Sequence, residues 1–299
     1  MTDALKSTSV LEDGPVSERV SATRVAIETL RRSPLSLVGL VIVVFVILVA
    51  IFGPWIAPFP EDAGASVNFA KRLKPPSAEH WFGTDVVGRD VLSRVIIGSQ
   101  ISLTIALFVI VFAVLIGVPL GVIAAYFGGG LGGGIMRINE VFLAIPSLVF
   151  VLAVSSLLGP SLPVVIIAIS LAWWTWYARL AYGEVLSIKQ EQFVEAAQVS
   201  GASKMRIAFR EILPNLTSVL IVKVTLDIGY VILLGASLGY LGLGVQPPEP
   251  EWGIMVAEGR EQLPDAWWLT TFPGLAVFVT VMGFNLLGDG LNDILGARQ

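Results

Sequence analysis

Residues 35–57 read LSLVGLVIVVFVILVAIFGPWIA, an apolar run with no Asp, Glu, Lys or Arg. A helix needs roughly 20 predominantly apolar residues to cross the hydrocarbon core of a bilayer. This run meets that length. It is too long for the apolar core of a signal peptide and lacks a small-residue cleavage site, so it is expected to stay in the chain as a membrane helix. Working outward from it, five further stretches meet the same criterion: 99–126, 135–158, 163–181, 216–244 and 270–291. The expected fold class is an all-α integral membrane protein with six transmembrane helices.

The composition agrees with that reading and narrows the chemistry. Hydrophobic residues make up 55% of the chain and charged residues 14%, against about 25% charged in a soluble domain. The 19 Lys and Arg nearly balance the 23 Asp and Glu, so nothing points to a nucleic-acid partner. With no Cys, a disulfide framework, a zinc-thiolate site and a thiol nucleophile are excluded. His80 is the only histidine, which excludes a multi-histidine metal site; the simplest place for it is a loop. The glycine-rich stretch 128–134 is not followed by Lys-Ser/Thr, so it reads as a turn and not as a phosphate-binding loop.

Six crossings place both termini on one side. With the N-terminus inside, 13 of the 19 Lys and Arg fall on cytoplasmic segments or span ends and 6 outside, the bias that the positive-inside rule requires. The chain then divides into a cytoplasmic N-terminal tail, 1–34, a first helix and periplasmic loop, 35–98, and a transmembrane domain, 99–292, with a cytoplasmic loop at 182–215. Gly117 and Gly121, and likewise Gly235 and Gly239, are spaced for close helix packing in lipid. Pro119 and Pro146 lie inside spans and are expected to bend them.

The loop between the fourth and fifth spans is mixed polar and apolar. Residues 190–199 are good helix formers, and Gly201 can end that helix at positive φ. Ser203 can cap a short second helix running toward Arg210. Pro214 is expected to terminate that second helix before the fifth span begins. The predicted result is helix, break, short helix, break: a compact bracket suited to receiving force from a partner.

The residues Phe193-Val194-Glu195-Ala196-Ala197, Gly201-Ala202-Ser203 and Ile212-Leu213-Pro214-Asn215 resemble the "EAA" loop of permease subunits in ATP-binding-cassette importers. Trp81-Phe82-Gly83-Thr84-Asp85 with Gly88-Arg89-Asp90-Val91-Leu92-Ser93-Arg94 is similar to the segment before span two in the second permease of dipeptide, oligopeptide and nickel importers. Leu143-Ala144-Ile145-Pro146-Ser147, Leu241-Gly242-Leu243-Gly244-Val245-Gln246-Pro247-Pro248 and Trp252-Gly253 match the same group. The resemblance covers about residues 30–295.

It implies the type I importer permease fold and a transport subunit in the inner membrane, not an enzyme. It also implies that the chain binds no cofactor, with ATP hydrolysed by two partner ATP-binding subunits. A homologous second permease would complete a heterodimer and a periplasmic substrate-binding protein would deliver cargo. Membrane lipid would surround the spans. Glu195, Ala196, Ala197, Gly201, Ala202, Ser203, Leu213 and Pro214 would couple to the ATPase, with a coupling helix within 201–210. Peptide is the expected cargo; nickel chelates and oligosaccharides are the alternatives. A secondary transporter would normally carry inverted repeats and more intramembrane charge.

Lys223 and Asp227 stand four apart within span five, on one helical face. Intramembrane charges are usually paired or functional. Two readings stay open: a mutual ion pair, or an Asp227 on the translocation path. The acidic stretch 247–265 reads as a solvated loop or as a docking face for a soluble protein.

Overall fold

The structure is a computed structural model that describes residues 34–296; residues 1–33 of the expected tail lie outside it. Among the described residues the architecture is helical, relieved only by an isolated bridge between Thr84 and Asp90. Five helices are long and apolar enough to cross a membrane: α1 (Pro34–Ile56), α2 (Val91–Phe127), α5 (Leu162–Ile188), α7 (Lys204–Tyr240) and α9 (Trp268–Gly296). Between α2 and α5 lie α3 (Gly129–Leu143) and α4 (Ser147–Leu158), and two short helices, α6 (Gln192–Val199) and α8 (Trp252–Arg260), complete the set.

The third expected span, 135–158, bends at Pro146 as expected, and the bend is a full break: α3 and α4 meet at 83°. With 15 and 12 residues, they are about 22 Å and 18 Å long, so neither crosses a bilayer alone and only the pair counts as a sixth span. Pro146 sits at the N-cap of α4 with extended ψ. It has no N–H to continue α3 and biases Ile145 away from helical geometry. Pro119, by contrast, leaves α2 unbroken over its 37 residues.

Other spans run beyond their apolar cores. α2 begins eight residues before position 99, where the Asp90 carboxylate accepts the Ser93 amide and caps it. Arg94 enters this first turn at only 1% exposure because carboxylates from elsewhere in the chain surround it. Such pairing is nonlocal, and hydropathy does not register it.

The core is built around α2 and α5. A Cβ on Gly117 would collide with the Trp174 carbonyl, and one on Gly121 with that of Ala178. This pair of glycines therefore lets two backbones touch, where lipid offers no hydrophobic drive to hold them. The second pair splits. Gly239 faces Glu251 and the Ile254 amide, but a Cβ on Gly235 would meet only Ile105 methyls, at 3.6 and 3.9 Å.

Candidate functional site

The segment joining α5 to α7 forms the expected bracket, with one change. α6 ends in a two-bond turn: the Ala202 amide donates to Ala197 O at 3.1 Å and the Gly201 amide to Gln198 O at 3.0 Å. Gly201 takes φ +79°, as this C-terminal cap requires. No atom lies within 4 Å of where its Cβ would be. Ser203 then caps α7, its hydroxyl accepting the Arg206 amide at 3.3 Å.

Pro214 does not end this helix. α7 runs as α-helix over Lys204–Arg206, as a π turn over Ile207–Ile212, as a 3-10 turn over Leu213–Leu216, and as α-helix again from Thr217 to Tyr240. The wide turn absorbs the proline: the Leu213 amide reaches back five residues to Ala208 O, and the Asn215 side-chain amide donates to Glu211 O at 2.6 Å. The proline-induced defect in the ladder is thus re-satisfied locally. The expected short coupling helix is the first turns of one continuous helix, Lys204–Tyr240, that is long and apolar enough to cross a membrane.

Val194, Ile207, Ala208, Ile212 and Leu216 point inward and are buried. On the outer side lie Glu195, Ala196, Gly201, Ser203 and Pro214, with Ala197, Ala202 and Leu213 partly covered. Phe193, Val199 and Met205 are exposed there as well, Val199 at 85%. One face of the bracket is thus anchored and the other presents apolar side chains beside the expected coupling residues.

Asp227 lies deep in the helix bundle. Its carboxylate accepts from Lys223 Nζ at 2.7 Å and from the Trp173 indole N–H at 3.1 Å. Lys223 retains 31% exposure while Asp227 has 2%, so the lysine reaches outward from a buried partner. Trp173 comes from α5 and had no signal in the sequence, standing 54 residues from Asp227.

The stretch 247–265 also departs from expectation. It is not a solvated loop throughout: it contains α8, and of its carboxylates Glu251 is buried and Glu258 partly buried. Glu251 is 1% exposed; it caps α8 by accepting the Ile254 amide at 3.0 Å and receives the Ser102 hydroxyl at 3.3 Å. Burial pushes its carboxyl above the usual range, with backbone and Ser102 hydrogen bonds opposing. Glu258 is shifted upward by burial too, against the pull of Arg94 and Arg89. It lies 3.3 Å from Arg94 and 3.8 Å from Arg89, while Asp85 lies 2.6 Å from Arg89. These pairs fasten the 58–90 segment and α2 to α8. Glu249, Glu261 and Asp265 remain exposed.

His80 lies in the loop before α2, as expected, but its side chain is buried. It is 2% exposed, with Nδ1 2.9 Å from Asp90 Oδ1. It holds the carboxylate that caps α2.

Residues 117–299 match the family described as "Binding-protein-dependent transport system inner membrane component", and residues 21–76 match "N-terminal TM domain of oligopeptide transport permease C". The chain is 44% identical to the probable D,D-dipeptide transport system permease protein DdpC of Escherichia coli K12, covering 95% of this chain and 97% of that one. It is 42% identical to the dipeptide transport system permease protein DppC of Alkalihalophilus pseudofirmus, over 94% and 91%. It is 45% identical to the glutathione transport system permease protein GsiD of Shigella flexneri, over 90% and 88%. In fold it is similar to a chain of the inward-facing MetNI methionine ABC transporter, with a TM-score of 0.56 at 19% identity, covering 69% of this chain and 96% of that one. The bundle, the anchored bracket and these matches together place the chain in the family of binding-protein-dependent transport system inner membrane components, as a multi-pass inner-membrane permease subunit.

Proposed function

We propose that this permease passes di- or oligopeptides across the inner membrane as one half of a heterodimer with a homologous second permease. Two separate ATP-binding subunits drive it, and a periplasmic binding protein delivers the cargo. Both termini and the 182–215 loop face the cytoplasm. The proposed coupling residues are Glu195, Ala196, Ala197, Gly201, Ala202, Ser203, Leu213 and Pro214, within a transmembrane domain spanning 99–292.

The observation that carries this reading is the bracket. Its inner face is locked by Val194, Ile207 and Ile212, and its outer face carries Phe193, Val199 and Met205 beside Gly201. A docking partner pushing there moves α7 as a lever, because the π and 3-10 turns preserve helix continuity past Pro214. The peptide assignment rests on the dipeptide and glutathione systems named among the relatives.

Asp227 fits the ion-pair reading better than the path reading. Its two carboxylate oxygens are engaged by Lys223 and Trp173 within the chain. Its role in this proposal is to pin α7 to α5.

The test is uptake into proteoliposomes by the complete transporter with its binding protein. ATP-dependent accumulation of a labelled dipeptide, with no accumulation of a nickel chelate or an oligosaccharide, is the expected result. Uptake that ignores ATP would remove the importer assignment; ATP-driven uptake of another cargo would remove only the peptide.

A further inference from the structure

Where α2 and α5 end, the α6–α7 turn folds back over them and leaves a cleft of about 520 Å³. Tyr126, Phe127, Lys189, Gln190, Gln198 and Lys204 line it, and no lining residue is acidic. Lys189 Nζ donates to Ala125 O at 3.2 Å, which uses one of the three ammonium hydrogens and leaves two. Among the described residues neither lysine has a carboxylate within ion-pair distance. The cleft therefore holds two positive charges, two side-chain amides and a phenol, with nothing anionic to answer them.

We propose that this cleft binds a phosphate-bearing anion, supplied by the headgroup of an anionic phospholipid. Depth favours that source. Phe127 is the last residue of the apolar helix Val91–Phe127, and Lys189 follows Leu162–Ile188 directly. The Tyr126–Phe127 edge of the cleft, where the apolar run 99–126 ends, thus meets the headgroup level whichever way the chain is oriented. Basic pockets between helices at that level suit anionic headgroups, and Tyr at that level is at home in the interface. The lysines and amides donate to the phosphate oxygens. The Tyr126 and Phe127 rings, edge to face at 5.4 Å between centroids, give the glycerol backbone an apolar wall. A free phosphate would leave that wall uncovered.

The complete transporter is placed in nanodiscs of phosphatidylcholine alone, of phosphatidylcholine with phosphatidylglycerol, or of phosphatidylcholine with added inorganic phosphate. Lysine acetylation is then read residue by residue by mass spectrometry. Phosphatidylglycerol is expected to slow modification of Lys189 and Lys204 about tenfold and leave exposed Lys74 unchanged. Native mass spectrometry should show Lys189→Gln/Lys204→Gln losing bound phosphatidylglycerol about thirtyfold, the worth of two interfacial lysines. Lys189→Arg/Lys204→Arg, which keeps the charge and guards against a folding defect, should retain it. Protection by inorganic phosphate alone would uphold the phosphate site and overturn its lipid source. Lysines as reactive as Lys74 with phosphatidylglycerol, or equally protected in phosphatidylcholine alone by an acidic surface of a partner protein, would overturn the proposal.

Discussion

Lys223 Nζ sits 2.7 Å from Asp227 Oδ1, one helical turn apart on α7, and the pair is asymmetric: the lysine is 31% exposed and the aspartate 2%. The aspartate is also held by Trp173 of α5. A buried charge left without its partner is far more damaging than the loss of the pair as a whole.

Removing the lysine alone should therefore be the worst of the three changes. Lys223→Met leaves a buried, unpaired carboxylate and should destabilise by roughly 3–5 kcal/mol. Lys223→Met/Asp227→Leu should recover most of that loss, and Asp227→Asn should keep the Trp173 hydrogen bond. Thermal unfolding of the purified complex gives the order. A double variant no more stable than Lys223→Met would show that the pair is not the reason these residues coexist. Loss of uptake in a fully stable Asp227→Asn protein would return Asp227 to the path.

Gly201 separates backbone strain from docking. Its φ of +79° costs a residue with a Cβ roughly 1–2 kcal/mol, and the space around it within the chain is open. Gly201→Asn, which tolerates the left-handed region, should assemble and keep most uptake. Gly201→Asp tolerates the backbone but puts a charge on the docking face, and Gly201→Val strains the backbone. Both should insert, pair with the second permease, release the ATP-binding subunits on purification and fail to transport. Normal ATPase retention in all three would sink the coupling assignment of this segment.

The buried Glu251 gives stability a pH dependence of known sign. Its folded-state pKa lies above the unfolded value because burial disfavours the charge, so the native state binds more protons. The slope of stability with pH is then negative across that window: the contribution is present below an unfolded pKa of about 4.3 and is lost as pH rises through the folded value. Glu251→Gln can still accept the Ile254 amide without carrying charge. Its melting temperature relative to the unsubstituted protein should climb as pH rises above the ordinary carboxylate range. A difference independent of pH would show that Glu251 does not titrate across that window.

Topology is open to direct labelling, since the chain has no Cys. Lys74→Cys should react with an impermeant maleimide added to intact spheroplasts, and Lys204→Cys only after lysis. The reverse pattern would invert every crossing.

How much was legible in the sequence depended on how local the cause was. Apolar runs marked the spans because length and lipid solubility are properties of a segment alone. Gly201 and Ser203 were legible for the same reason: a helix end is decided by the φ one residue can adopt and by a hydroxyl three residues from an amide. The motifs that carry the family were legible too, and the resemblance they support covers about residues 30–295.

What the sequence by itself determined, then, is a set of membrane helices, one capped bracket between two of them, and the transporter family. The tertiary structure alone decided that the bend expected at Pro146 is a full 83° break while α2 passes Pro119 and α7 passes Pro214, since a proline stops a helix only where the neighbouring carbonyls and amides find no other partner. It alone decided that Glu251, Arg94 and His80 go inside and that Glu258 is drawn partly in, because each is held by groups distant in sequence or by a helix end that must first be positioned. And it alone joined Asp227 to Trp173 across 54 residues. Burial of charge is a property of the assembled surroundings, which no stretch of sequence carries by itself.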